Sequence, residues 1–185
     1  VAMTAINPES PNGDTDGARD DALNGAVIVA GVPGQSARVM REGAHFARLM
    51  QAPLVIVHVD MTRFVTYEDP DGYVHSAPID IDVAPGAAEL EAVRQAAHDA
   101  LDAQSVAWEM RQLVGDPAIA LKGLAERLDA KLLVVGTRDR GIGESIREFF
   151  TGSVAARLAH RQHRPILVVP LGAAAADDED LWPQD

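Results

Sequence analysis

The residues best placed for chemistry lie in one glycine-rich run. It reads Gly136-Thr137-Arg138-Asp139-Arg140-Gly141-Ile142-Gly143, then ESIREFFT, then Gly152-Ser153-Val154. The run opens where an apolar segment ends and closes where a helical pattern begins. Glycine permits positive φ and close backbone approach, so successive N–H groups can converge on an anion. Gly152-Ser153 at a helix start adds unpaired N–H groups and the positive end of the helix dipole. Ser153 adds a hydroxyl. From Gly136 to Arg164 there are six arginines against three acids, a local reversal in an acidic chain that suits an anionic ligand. A structural reading stands beside this one: the glycines turn the chain, Ser153 caps a helix, and the arginines form a solvated face. Two familiar phosphate loops are excluded. Gly141 is followed by Ile142-Gly143 instead of Lys-Ser/Thr, and the first turn, Gly31-Val32-Pro33-Gly34-Gln35-Ser36, lacks the dinucleotide GxGxxG pattern.

Other chemistry finds little support. The chain has no cysteine, which removes disulfides, thiolate metal sites and a cysteine nucleophile. No G-x-S-x-G elbow occurs, and neither Ser36 nor Ser153 has a paired base visible in the sequence. His160 and His163 share an i, i+3 spacing, but a metal needs a third ligand and none is evident, so they read as surface histidines. His58 sits inside an apolar run and reads as a core histidine bonded to a neighbouring loop. Asp139, Glu144 and Glu148 lie near the glycine run without a magnesium-binding pattern. No catalytic or metal-ligating residue is assigned, and the expectation is a protein that is not an enzyme.

Positioning the glycine run requires the elements around it. Val27–Gly31, Leu54–Val59, Leu132–Val135 and Ile166–Val169 are short, apolar and rich in β-branched residues, the mark of buried strands. Val106–Val114 alternates and suits a half-covered strand. Helical periodicity covers 35–50, 86–103, 117–129 and 153–162, the third opened by Asp116 as N-cap and Pro117 at the first helical position. Five strands alternating with four helices predict a three-layer α/β sandwich around a parallel sheet. In such sheets ligands bind beyond the carboxyl ends of the strands. The segment 61–85 is a long insertion at that end. Val65–Tyr67 and Tyr73–His75 flank a turn-rich Glu68–Gly72 and predict a small hairpin. Long insertions at a ligand end serve as lids or interaction surfaces, or are tolerated surface additions.

The 185 residues carry a formal charge of −12. Residues 1–24 and 171–185 lack apolar periodicity and read as acidic tails of charge −4 and −5, which leaves −3 on the predicted domain, 25–170. Such a balance gives no support to nucleic-acid or membrane partners. No apolar stretch approaches the ~20 residues that span a bilayer, and no basic-then-apolar leader is present. The expectation is a cytoplasmic protein.

The segments VIVAGVPGQS, LVIVHVD, LVGDPA, LVVGTR and FFTGSVAARLAHRQHRPILVVP, in that order, resemble the universal stress protein family over about 25–170. That resemblance implies a Rossmann-like fold of the adenine nucleotide alpha hydrolase type, with strand order 3-2-1-4-5. It implies a homodimer through the last strand, which agrees with the need to cover the apolar edge Ile166–Val169. It also implies binding of ATP or another adenine nucleotide without rapid turnover. Carried over by position, Val32 stands beside adenine and Val59 packs against the nucleotide at the end of the second strand. Val135, Gly136 and Arg138 follow the fourth strand, and Gly152, Ser153 and Val154 match the closing phosphate motif. Pro33 occupies a position where the family has an aspartate, and Asp139 one where it has a glycine. The interval from Gly136 to Gly152 is three residues longer than the family's, so Gly141 or Gly143 would take the missing glycine's place. These departures support an alternative, a stress-related interaction protein that binds no nucleotide and acts through its dimer and the 61–85 insertion.

Overall fold

The apolar runs become the centre of one sheet because a strand whose residues are apolar on both sides must be covered on both faces. The computed structural model describes residues 19–35, 37–68, 74–78, 86–104, 106–137 and 154–171, with the backbone alone for 63–68 and 74–78. In chain order the strands are β1 (Val27–Ala30), β2 (Leu54–Asp60), β3 (Arg63–Glu68), β4 (Val74–Pro78), β5 (Trp108–Val114), β6 (Leu132–Gly136) and β7 (Ile166–Val169). The helices are α1 (Ala37–Leu49), α2 (Gly86–Leu101), α3 (Pro117–Arg127) and α4 (Val154–Ala159). Five strands pair in the order β5-β2-β1-β6-β7, every pair parallel. Numbered among themselves these strands run 3-2-1-4-5, the expected topology.

Strand alternation divides the core in two. Val27, Val29, Leu54, Ile56, Leu132 and Val134 face α1 and α2. Ile28, Val55, Val57, Leu133 and Val135 face α3 and α4. Gly43 lets α1 lie close on the sheet: a Cβ there would stand 2.2 Å from Cγ2 of Val29. The expected hairpin forms, β3 and β4 pairing antiparallel with an irregularity between Val65 and Tyr67; its turn, 69–73, lies outside the described residues.

Most element ends fall within two or three residues of the sequence reading, and two differences change the packing or the site. Residues 19–22, drawn within the N-terminal tail, are helical and pack on the domain. Leu23 is buried in the α3/α4 core, Gly25 N donates to Leu128 O at 2.7 Å, and the Asp20 carboxylate pairs with Arg111 on β5 and, at 3.8 Å, with Arg127. An apolar side chain within reach of an open core edge is drawn in even from an acidic segment. At the other end, α4 stops at Ala159 instead of Gln162. Arg161 N bonds the carbonyl three residues back, on Leu158, and Gln162 clamps the next turn, accepting from Arg164 N at 2.6 Å and donating to Arg164 O at 2.8 Å. His163 therefore lies beyond the helix, and both it and His160 are exposed.

Candidate functional site

The carboxyl ends of β1, β2 and β6 meet where the chain's connections diverge, β1 leading to one side of the sheet and β6 to the other. This is the switch point at which parallel α/β sheets leave a crevice. Register sets its floor. Val29 pairs with Val134, and Gly31 and Gly136 each lie two residues beyond that pair, at the strand ends. Neither has room for a side chain. A Cβ on Gly31 would meet Val93 Cγ1 at 2.6 Å, and one on Gly136 would meet Gln35 Nε2 at 2.7 Å, Val39 Cγ2 at 3.0 Å and Leu171 Cδ1 at 3.1 Å.

The turn after β1 rises from this floor. Gly34 takes a φ of +71°, which glycine adopts without strain. Gln35 N bonds Val32 O at 3.2 Å, and the Gln35 side chain bends back so that its Oε1 accepts from Val32 N at 3.4 Å. Val32 is left 52% exposed at the mouth. Val59 at the end of β2 and Val154 at the start of α4 are half-buried, and both pack on the core face that holds the buried Val135. The structure thus brings Val135, Val59 and Val154 onto one face at the sheet's carboxyl end, with Val32 and Pro33 exposed in the adjoining turn. Arg138, Gly141, Gly143, Gly152 and Ser153 lie outside the described residues.

The far side of the crevice is laced to the last strand. Thr137 N donates to Val169 O at 2.9 Å, and Leu171 N donates to Thr137 Oγ1 at 2.9 Å. Arg38, near the start of α1, donates to Pro170 O at 3.3 Å. On the β2 side, His58 is buried, its Nδ1 3.4 Å from Gly31 O and its Nε2 3.5 Å from the Glu89 carboxylate on α2. The loop it bonds is the first turn itself, so the core histidine holds the crevice floor. Asp60 is buried against the start of α2, where a Cβ on Gly86 would stand 2.3 Å from its Oδ2. Its Oδ1 accepts from Thr62 N and Thr62 Oγ1 at 2.8 and 2.6 Å, which pins the turn into the hairpin.

A second polar tie holds α4 in place. Asp116 caps α3, its Oδ1 accepting from Ala118 N and Ile119 N at 3.1 Å each, while Oδ2 takes Arg157 Nη2 of α4 at 2.6 Å. Desolvation pushes the Asp116 carboxyl up. The Arg157 guanidinium and the two backbone N–H groups outweigh it and hold the group below the usual carboxylate range. The cap was legible from Asp116-Pro117. The pairing with Arg157 was not, since 41 residues separate the partners and no local pattern links them. Gln35, Asp60 and Glu89 also escaped sequence reasoning, because their roles exist only where separate elements meet. Among the described residues no three His, Cys, Asp or Glu side chains gather as a metal site, and no helix is long and apolar enough to cross a membrane.

The comparisons with known proteins agree with this architecture. The model of the universal stress protein family matches residues 27–170. Universal stress protein YxiE of Bacillus subtilis (strain 168) is 28% identical over 136 residues, which cover 72% of this chain and 90% of the relative. Among solved structures, a universal stress protein from Archaeoglobus fulgidus superposes with a TM-score of 0.58 at 21% identity, over 78% of this chain and 97% of that one. A universal stress protein in complex with cAMP aligns with a TM-score of 0.51 at 27% identity, over 80% and 98% of the two chains.

Proposed function

The chain belongs to the universal stress protein family, and from that premise we propose that it is a homodimeric stress-response module that binds an adenine nucleotide without rapid turnover. The observation that carries the reading is the switch point itself, where Gly31 and Gly136 at the strand ends adjoin the exposed Val32 and the half-buried Val59 and Val154. Apolar walls suit a purine. A relative of known structure binds cAMP, which makes adenosine phosphates the first ligands to test. In this reading Val32, Pro33, Val59 and Val135 border the base. Gly136, Arg138, Gly141, Gly143, Gly152, Ser153 and Val154 serve the sugar and phosphates. In this reading the module holds its ligand instead of turning it over.

Dimerisation through β7 is part of the same proposal. β7 is an edge strand whose Ile166 and Leu167 are half-buried and whose Val168 is 36% exposed, an apolar edge that pairing with a second copy would cover. The proposed location is the cytoplasm, where adenine nucleotides are abundant.

Isothermal titration with ATP, ADP, AMP and cAMP tests the proposal. Saturable heat from at least one of them is expected, together with its loss in Gly152→Val and no release of phosphate from ATP. Absence of heat from all four up to about millimolar concentration, the weak-binding limit near −4 kcal/mol, refutes nucleotide binding. One observation favours the alternative role as an interaction module: Met61 is strongly exposed at the root of the hairpin. That reading predicts ligand-free dimers whose partner is lost when 63–78 is deleted.

A further inference from the structure

The described walls of the crevice are mostly apolar. The turn after β1 reads Val32-Pro33-Gly34-Gln35, in which Gln35 alone is polar. Val39 and Leu171 crowd Gly136 on the same side as Gln35. A small ligand among apolar walls needs a few placed hydrogen-bonding groups to fix its orientation. Gln35 is positioned to be one. Its carboxamide lies over Gly136, with Nε2 2.7 Å from where a Cβ would be, a place that exists because residue 136 has no side chain. Its Oε1 accepts from Val32 N at 3.4 Å. That bond is longer than the ~2.7–3.2 Å of a well-formed N–H···O contact and is exposed to water, so it exchanges readily for a better partner.

The chemistry of the group narrows what that partner is. A carboxamide offers two donors and one acceptor without charge. It matches a pair of adjacent hydroxyls, one accepting and one donating. Phosphate oxygens are better served by guanidinium and backbone N–H groups. Position agrees with chemistry. Gly136 ends β6 and is assigned to the sugar side of the ligand in the reading above, so the carboxamide over it lies beside that part of the ligand.

We propose that Gln35 reads the sugar of the bound nucleotide, exchanging its bond to Val32 for the vicinal ribose hydroxyls. The exchange also frees Val32 N–H to donate to a ring nitrogen of the base, so one side chain guards the donor in the empty site and recognises the sugar in the filled one. The inference rests on the nucleotide-binding reading above and goes further by naming a specificity-determining residue and the part of the ligand it contacts.

The test titrates the full chain and Gln35→Ala with AMP, 2′-deoxy-AMP and 3′-deoxy-AMP, with thermal unfolding as the control for folding. Gln35→Ala should bind AMP about tenfold more weakly, the scale of one or two neutral hydrogen bonds. Its affinity for the deoxy analogue that lacks the contacted hydroxyl should change less than about twofold, so that the preference for ribose collapses. Unchanged affinities for all three ligands overturn the assignment. An equal loss for all three also overturns it, since that pattern reports the shape of the turn and not contact with the sugar. Failure of the unsubstituted chain to bind any of the three removes the nucleotide reading itself, an outcome visible before any variant is made.

Discussion

Gly43 sets two known effects against each other, and their magnitudes decide the sign. Replacing a mid-helix glycine by alanine reduces the freedom of the unfolded chain and favours the helix by about 1 kcal/mol. At Gly43 the added Cβ would stand 2.2 Å from Cγ2 of Val29, against roughly 3.5–4.0 Å for an ordinary carbon contact. Val29 is fully buried in the central strand β1, and a β-branched side chain has little rotameric freedom to yield. Relief must come from α1 moving off the sheet, which loosens the buried Met40, Ala44 and Ala47. Overpacking of this kind costs about 1–3 kcal/mol, and the steepness of this contact places it at the upper end. Gly43→Ala should therefore destabilise by about 1–2 kcal/mol net, a fall in Tm of roughly 3–6 °C for a domain of this size. Gly123→Ala in α3 is the matched control. Its Cβ would meet nothing nearer than Arg127 Nη1 at 3.8 Å, so the helix term stands alone and Tm should rise by about 2 °C. Urea unfolding followed by circular dichroism reads both, with a shift in midpoint and an unchanged slope. A Gly43→Ala protein as stable as Gly123→Ala would refute the reasoning, because it would mean that α1 does not seat on β1 through this contact.

Three further substitutions probe other parts of the structure. Asp116→Asn keeps an N-cap but loses the ion pair with Arg157, so it should cost about 0.5 kcal/mol at pH 7. Because the folded-state carboxyl is depressed, that difference belongs to the ionised form; it should vanish as pH falls through the acid range below the usual carboxylate value, which urea midpoints at pH 7 and pH 3 measure. Leu23→Ala should cost about 2–4 kcal/mol in the same assay if residues 19–24 belong to the domain, whereas a change under about 0.5 kcal/mol marks a surface residue. Val168→Lys places a charge on the proposed β7 edge contact, and sedimentation should then report monomer where the unsubstituted chain is dimeric; an unchanged dimer relocates the interface.

Composition and periodicity were sufficient for the sheet, because a run such as Leu54–Val59 can be satisfied only between two covering layers. The cap of α3 was equally local: Asp116 and Pro117 carry the helix start in adjacent residues. The strand stop at Gly136 was legible for the same reason, since an apolar run ended by a glycine is a sequence-adjacent pattern. What the sequence by itself determined is this set of features fixed by neighbours along the chain: the alternation of strands and helices, the hairpin in the insertion, and the position of Gly136 at the end of a buried strand.

Tertiary structure decided what depends on distant segments meeting. Leu23 was drawn into the core although its neighbours are acidic, because the edge beside α3 offered apolar surface and Arg111 and Arg127 offered partners for Asp20. The charge first attributed to a tail therefore belongs in part to the folded domain. His58 found Gly31 and Glu89, Arg157 found Asp116, and Gln35 found the space above Gly136. The partners in every pair are at least 27 residues apart along the chain. Strand pairing and helix packing set such encounters through register, which moves a whole row of side chains at once. A one-residue difference in the pairing of β1 with β6 would carry Gly136 from beneath Gln35, and the crevice with it.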